Sequence, residues 1–200
     1  MRRDEAATNV CTSPIFAAGR PVLDALPLDW LVIVVKSMLA DELQRTWQGS
    51  VVVRLDDVYP GWDGLAWASE HIRAELLEPR AAGRAGRWRR WDWATGSPSQ
   101  WHTVTPGGRL IVEGVGTLTV ANRTLADLGI WVEIPDGERK RRALARDGET
   151  FIPHWDRWAA QEDDYIARCQ PCAVADLIVT EAADGTRVAN RSEAVWTPGG

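Results

Sequence analysis

The sequence predicts an α/β fold: a five-stranded parallel sheet, covered by helices on both faces, in one domain. Three observations carry that expectation. Short apolar runs rich in Val, Ile and Leu alternate with stretches whose apolar residues recur at helical spacing. Strands that are apolar on both sides need cover on both sides, which parallel sheets receive from crossover helices. Four of the five runs also deliver a polar or charged residue to their carboxyl end, the edge where open parallel sheets bind ligands.

Leu31–Val35 is the first strand, five apolar residues, mostly β-branched. Ser37–Trp47 then has helical spacing, with Met38, Leu39, Leu43 and Trp47 on one side and Gly49 ending it. Nothing in Val34-Val35-Lys36-Ser37-Met38 forces a break, so one continuous helix from Leu31 to Trp47 is the alternative. Ser50–Leu55 is the second strand, and Asp56-Asp57-Val58-Tyr59-Pro60-Gly61 turns after it. Leu65, Ala68, Ile72 and Leu76 mark a helix expected to stop before Pro79. Residues 80–107, rich in Arg, Trp, Gly and Ser, read as irregular.

Leu110–Val112 is the third strand and runs into Glu113-Gly114. A short helix is expected around Leu125–Leu128, followed by a fourth strand, Ile130–Ile134, closed by Pro135-Asp136. Glu138–Arg146 is a basic helix. Pro153 opens another, with Trp155, Trp158, Ala159, Glu162, Ile166 and Cys169 along one face. Ala175–Val179 is the fifth strand. The organisation is an N-terminal arm with a short helical turn (1–29), the α/β domain (30–180) and a polar tail (181–200) that forms either a hairpin or a disordered end.

The totals narrow the function classes. Hydrophobic residues make up 45% and charged residues 26% of the 200, ordinary for a soluble domain with a core. A net charge of -5 gives no global pull towards nucleic acid or anionic membrane. No apolar run approaches the roughly 20 residues of a membrane helix, so no membrane partner is expected. Met1-Arg2-Arg3-Asp4-Glu5 does not read as a signal peptide, and three cysteines suit a reducing cytosol, so the expected location is cytoplasmic. Cys169-Gln170-Pro171-Cys172 cannot fill a four-ligand zinc site and reads as structural. Most of the twelve Trp are packing residues, with a minority lining a cleft. His71, His102 and His154 are isolated and receive no role.

The residues at the carboxyl edge are Lys36, Ser37, Asp56, Asp57, Glu113 and Asp136. Strand ends are also polar simply because they meet water. The ordered set, however, resembles a family. An apolar strand runs into Lys36-Ser37; a second ends in Asp56-Asp57-Val58-Tyr59; a third ends in Glu113-Gly114; an arginine-rich segment follows a strand ending in Pro135-Asp136. This is similar to the P-loop kinases of the uridine kinase, nicotinamide riboside kinase and pantothenate kinase group. It is closest to small uridine-kinase-like ATP-binding proteins with a D-D-x-Y-P-G-W-D-G-L stretch, as at Asp56–Leu65. The similarity spans roughly residues 30–180, and Trp91-Asp92-Trp93 is a further specific part.

The resemblance implies a three-layer P-loop fold and phosphoryl transfer from ATP, with Mg²⁺, to a hydroxyl of a small-molecule acceptor such as a nucleoside. Asp56 would be the general base and Asp57 the alternative base; either could instead cap the turn at Tyr59-Pro60. Tyr59 and Trp62 would wall the acceptor pocket, and Asp92 with Trp91 would contact acceptor hydroxyls. Lys36 and Ser37 would reach phosphate and Mg²⁺, Glu113 would hold Mg²⁺, and Arg139, Arg142 and Arg146 would close over the phosphates as a lid. A solvated basic face accounts equally well for each arginine singly, and Asp147 could pair with one of them.

One departure is plain. The glycine-rich loop that precedes Lys-Ser in P-loop proteins is missing: Val35 is followed directly by Lys36, and the nearest upstream glycine is Gly19. About seven residues would restore it. Without that cradle the chain is expected to bind ATP poorly and turn over little. Two alternatives remain. One is a non-catalytic protein that binds a nucleoside or metabolite in the acceptor pocket. The other is a single-strand nucleic-acid binder using Arg80, Arg84, Arg87, Arg89 and Arg90 among Trp88, Trp91 and Trp93. Nucleic acid is the less expected partner, because the chain is acidic overall.

Overall fold

The computed structural model describes residues 31–34, 37–182 and 185–190. The expected N-terminal arm (1–29), Val35, Lys36 and the end of the tail lie outside the described residues.

The main sheet is built around β1 (Leu31–Val34). On one side β1 pairs in parallel with β5 (Leu110–Glu113), which pairs in parallel with β2 (Val51–Arg54). On the other side lie β6 (Leu128–Glu133), β7 (Leu177–Ala182) and β8 (Gly185–Asn190), giving the order β2-β5-β1-β6-β7-β8. The parallel strands correspond to the five apolar runs, but the sheet has six strands, not five: β8 returns antiparallel along β7. Asp184-Gly185 is a hairpin signal in the sequence. The returning strand covers the edge that β7 would otherwise leave open.

The side-chain alternation of β5 divides the core between the two faces. Ile111 packs with Ala40 and Leu43 of α1 (Ser37–Thr46) and with Trp47, Ile130, Val132 and Val179. Leu110 and Val112 face the other way, into a larger cluster with Leu65, Ala68, Ile72, Leu76, Trp131, Trp158 and Tyr165. Helices therefore cover both faces, as the apolar runs require. Strand β1 and helix α1 are separate elements, so Leu31–Trp47 is not one helix.

Helix α2 (Leu65–Ile72) does not stop before Pro79. It continues through a π-turn, Arg73–Leu77, into a last turn, α3 (Glu78–Ala81). The Glu78 N–H reaches back five residues to the Arg73 carbonyl. The widened turn makes room for the proline ring, and Pro79 then sits in the first turn of α3, where an N–H is not needed.

Residues 80–107 are not irregular. Gly86–Asp92 (β3) and Ser97–Val104 (β4) form an antiparallel hairpin with a bulge between Arg89 and Trp91. Its inner side rests on the α2 extension through buried Trp88 and Val104. Gly86 is needed there, since a Cβ would lie 2.6 Å from the Leu76 carbonyl oxygen.

The short helix expected at Leu125–Leu128 lies earlier, at α4 (Val120–Arg123), because the Thr119 hydroxyl caps it by accepting the Asn122 N–H at 3.1 Å. Leu128 already belongs to β6. Helix α5 (Asp136–Phe151) breaks its helical geometry at Gly148 (φ 54°, ψ -138°) and leads through a 3₁₀ turn, Ile152–His154, into α6 (Trp155–Cys169). A left-handed Gln170 ends α6, and α7 (Pro171–Val174) precedes β7.

Candidate functional site

The order of the sheet fixes where a ligand can approach. From β1 the chain crosses towards β2; from β6 it crosses the opposite way towards β7. Connections that part at adjacent strands leave a crevice at their carboxyl ends. Glu113, at the end of β5, is in register with Val34 of β1 on one side and Arg54 of β2 on the other. Lys36 falls in the crevice region by sequence but outside the described residues; Ser37 begins α1, with its side chain likewise not described.

Asp56 and Asp57 lie in a 3₁₀ turn, Leu55–Asp57, directly after β2. Leu55, Val58 and Tyr59 anchor the turn in the core while Asp56 is exposed. The Trp93 indole N–H, from the hairpin tip, donates to the Asp56 carbonyl at 2.8 Å. Arg90 of the same hairpin makes an ion pair with Asp57 at 3.4 Å. The hairpin and the carboxylate turn are thus joined by a main-chain hydrogen bond and a charge pair.

Tyr59 is 2% exposed, and its hydroxyl donates to the Val115 carbonyl at 2.7 Å. Burial, with the carboxylates of Asp56 and Glu113 nearby, pushes its ionisation well above the usual phenol range. Its ring meets Trp158 edge-on at 4.7 Å. Tyr59 therefore braces the carboxyl ends of β2 and β5 against each other. Gly114 permits this contact: with φ at 127°, a Cβ there would lie 2.8 Å from Leu55 Cβ and 3.2 Å from the tyrosine oxygen.

Trp62 is the centre of an aromatic cluster. It stacks on His154 at 4.4 Å and lies against Trp93 at 5.0 Å, Phe151 at 5.2 Å and Trp158 at 6.4 Å. Gln161 donates to the Trp62 carbonyl, and Arg157 pairs with Asp63. His154, given no role by its sequence position, is part of this cluster; no spacing in the sequence joins it to Trp62, 92 positions away. Trp91 is half-buried in β3 opposite Pro98. Asp92 turns inward on the hairpin tip, accepting the Ala94 N–H at 2.9 Å and the Thr95 N–H at 3.4 Å. The Ala94 amide first, then Thr95, holds the Asp92 carboxyl below its ordinary range.

Glu113 is 2% exposed and lies 3.5 Å from Arg54 Nε in an ion pair, and Arg54 also binds Asp41 of α1. Arg54 escapes sequence reading, because the contact depends on cross-strand register. Among the described residues no group of three or more His, Cys, Asp or Glu is placed to hold a metal. A buried carboxylate already beside a guanidinium is not a preformed Mg²⁺ ligand set. In the sequence only Val35 and Lys36 stand between β1 and α1, neither is glycine, and both lie outside the described residues. The residues that would meet phosphate, Lys36 and the Ser37 side chain, lie outside the description.

The arginines expected to form a lid lie on α5 but take different partners. Arg139 Nη1 donates to buried Glu162 at 2.6 Å, and Glu162 also accepts the Trp158 indole N–H at 2.8 Å. Burial, the dominant influence, raises the Glu162 carboxyl despite Arg139. Arg141 and Arg142 both donate to Glu138, which they hold down at about 2. Arg146 lies on the same helix, with its side chain, like that of Asp147, outside the description. Cys169 and Cys172 are free thiols raised chiefly by burial, Cys172 to about 11, which disfavours the thiolate.

No family model and no curated protein matches the chain. Solved structures do. A protein described as a possible uridine kinase from Bacillus stearothermophilus superposes with a TM-score of 0.56 and 19% identity, covering 78% of this chain and 92% of its own. A protein named as a fructose transport system kinase from Silicibacter sp. TM1040 gives 0.56 and 19%, covering 80% and 94%. Phosphoribulokinase from Rhodobacter spheroides gives 0.51 and 16%, covering 86% and 76%. Together with the strand order and the edge of carboxylates, these likenesses identify the fold as that of the uridine-kinase-like P-loop kinases.

Proposed function

We propose that this protein descends from ATP-dependent kinases that phosphorylate a hydroxyl of a small acceptor, and that it retains the acceptor side while the nucleotide side is much weakened. The observation that carries the reading is the joint between the Asp56–Tyr59 turn and the β3–β4 hairpin. Trp93 fixes the Asp56 main chain, Arg90 pairs with Asp57, and Tyr59 and Trp62 lock the turn onto α6. A carboxylate that must take a proton from a hydroxyl needs such a rigid base. Asp56 is exposed on that base and Asp57 stands next to it as the alternative proton acceptor. A nucleoside is the acceptor the resemblance favours, with Trp62, Trp91 and Asp92 as contacts.

Phosphoryl transfer would require ATP at the β1–α1 junction, where the sequence has Val35-Lys36 and no glycine-rich loop. The expected outcome is weak Mg-ATP binding and little turnover. Calorimetry with Mg-ATP on this chain tests it, and micromolar affinity would sink the proposal. The same junction favours a second reading, a non-catalytic protein that binds a nucleoside or metabolite and ignores ATP. A thermal-shift screen with nucleosides separates the two: the first reading expects the shift to respond to Mg-ATP at high concentration, the second expects no response.

A further inference from the structure

Arg139, Arg142 and Arg146 share a stripe of α5 by spacing, yet their surroundings differ. Arg142 is half-exposed and shares Glu138, whose side chain is 29% exposed, with Arg141. Arg139 reaches across to α6, 23 residues away, and meets a carboxylate whose side chain is 7% exposed. Glu162 is buried between two elements. Arg139 of α5 and Trp158 of α6 hydrogen-bond it, and the charges of Asp163 and of Asp56, in the turn after β2, act on it electrostatically. Trp158 in turn packs edge-on against Tyr59. A single buried carboxylate thus links the arginine-bearing helix to the turn that carries Asp56.

We propose that Glu162 is a positioning residue: through Arg139 it fixes where α5 lies relative to the Asp56 turn. Arg139 belongs to this brace, not to an anion-binding set. If Arg139 left to meet a phosphate, a buried carboxylate would lose its countercharge, which is strongly unfavourable. Arg142 leaves a Glu138 that is part-exposed and still held by Arg141, and is the arginine an incoming polyphosphate recruits. The statement about Arg142 rests on the phosphate-binding reading of α5; the statement about Glu162 does not.

Hydrogen exchange of the full-length chain, read by mass spectrometry over residues 136–151, tests the brace. In Glu162→Gln and in Arg139→Gln the α5 amides should exchange about tenfold faster or more, with β5 amides unchanged. The double variant should be no faster than either single one, because both remove the same interaction. Arg139→Lys, which keeps the charge, should stay close to wild type. Wild-type exchange in Glu162→Gln, or effects that add in the double variant, overturns the proposal. Should Glu162→Gln fail to fold, Arg139→Gln against Arg139→Lys makes the same comparison. Calorimetry with tripolyphosphate then ranks the arginines: Arg142→Gln should weaken binding about fivefold or more, Arg139→Gln less than about twofold. The reverse ranking overturns the assignment of Arg139. If wild type binds no tripolyphosphate, the phosphate-binding reading of α5 fails, while the exchange data still decide the role of Glu162.

Discussion

The two sides of the crevice are built to different standards. On the acceptor side, the Asp56 turn is tied by Trp93, Arg90, Tyr59 and the cluster around Trp62, so that strand, hairpin and α6 hold one another. On the nucleotide side, β1 meets α1 across two residues, and the carboxylate expected to serve a metal is buried beside Arg54. Packing and hydrogen bonds preserve the first side whether or not catalysis occurs. A phosphate loop makes little contribution to a core, so a chain without one can still fold. The contrast makes the two sides separately testable: one can be unbraced and the other rebuilt.

The largest expected effect breaks the acceptor side. Trp158 is 8% exposed, touches Tyr59 and Trp62, and donates to Glu162. Trp158→Ala should lower stability by about 3–5 kcal/mol, through lost contacts and the cavity left behind. Urea denaturation measures it; a loss below about 1 kcal/mol would mean that the braced side is not braced. Next comes an attempt to repair the other side. Inserting about seven residues of glycine-rich loop between Val35 and Lys36 should raise Mg-ATP affinity by roughly a hundredfold, close to 3 kcal/mol, by calorimetry. No gain would move the defect from the loop to the Glu113–Arg54 pair.

A smaller effect follows from pH. Burial raises the Glu162 carboxyl above the ordinary 4.5, so the folded state holds this proton more tightly than the unfolded chain does. The associated stability is fully present below 4.5 and is lost as pH rises through the raised value. Glu162→Gln, which cannot ionise, removes that dependence. Relative to wild type it should gain stability as pH rises through this window, seen as a shift in denaturation midpoint. A pH-independent difference between the two would show that Arg139 offsets the burial fully.

Much of this contrast was legible in the sequence, and the rest failed for identifiable reasons. Five parallel strands followed from apolar runs because two-sided burial leaves that mark. The Asp56–Leu65 stretch stood out because turn, aromatic and acid occur together. The hairpin was hidden: its buried positions are few, and the bulge between Arg89 and Trp91 breaks the two-residue period. Helix α2 passed its proline because a π-turn, which no residue type announces, absorbed the ring. Arg54–Glu113 and Arg139–Glu162 are contacts between elements, and spacing along a chain cannot reveal which partner a charge meets across a fold.

The smallest effect tests whether Asp92 serves the hairpin or the acceptor. Its carboxylate accepts the Ala94 and Thr95 amides, which is a turn function that asparagine performs equally well through its side-chain carbonyl. Asp92→Asn should therefore leave the melting temperature unchanged near neutral pH. The lowered carboxyl contributes only while ionised, so wild type should fall below the Asn variant as pH falls through the depressed value, while the variant keeps its turn. An acceptor hydroxyl, by contrast, distinguishes the two residues, since a charged carboxylate accepts a stronger hydrogen bond than an amide does. If a nucleoside raises the melting temperature of wild type and fails to do so in the Asn variant, with the turn intact in both, Asp92 contacts the acceptor. An equal shift in both confines Asp92 to the turn and leaves Asp56, Asp57 and the Trp62 cluster to hold the acceptor side alone.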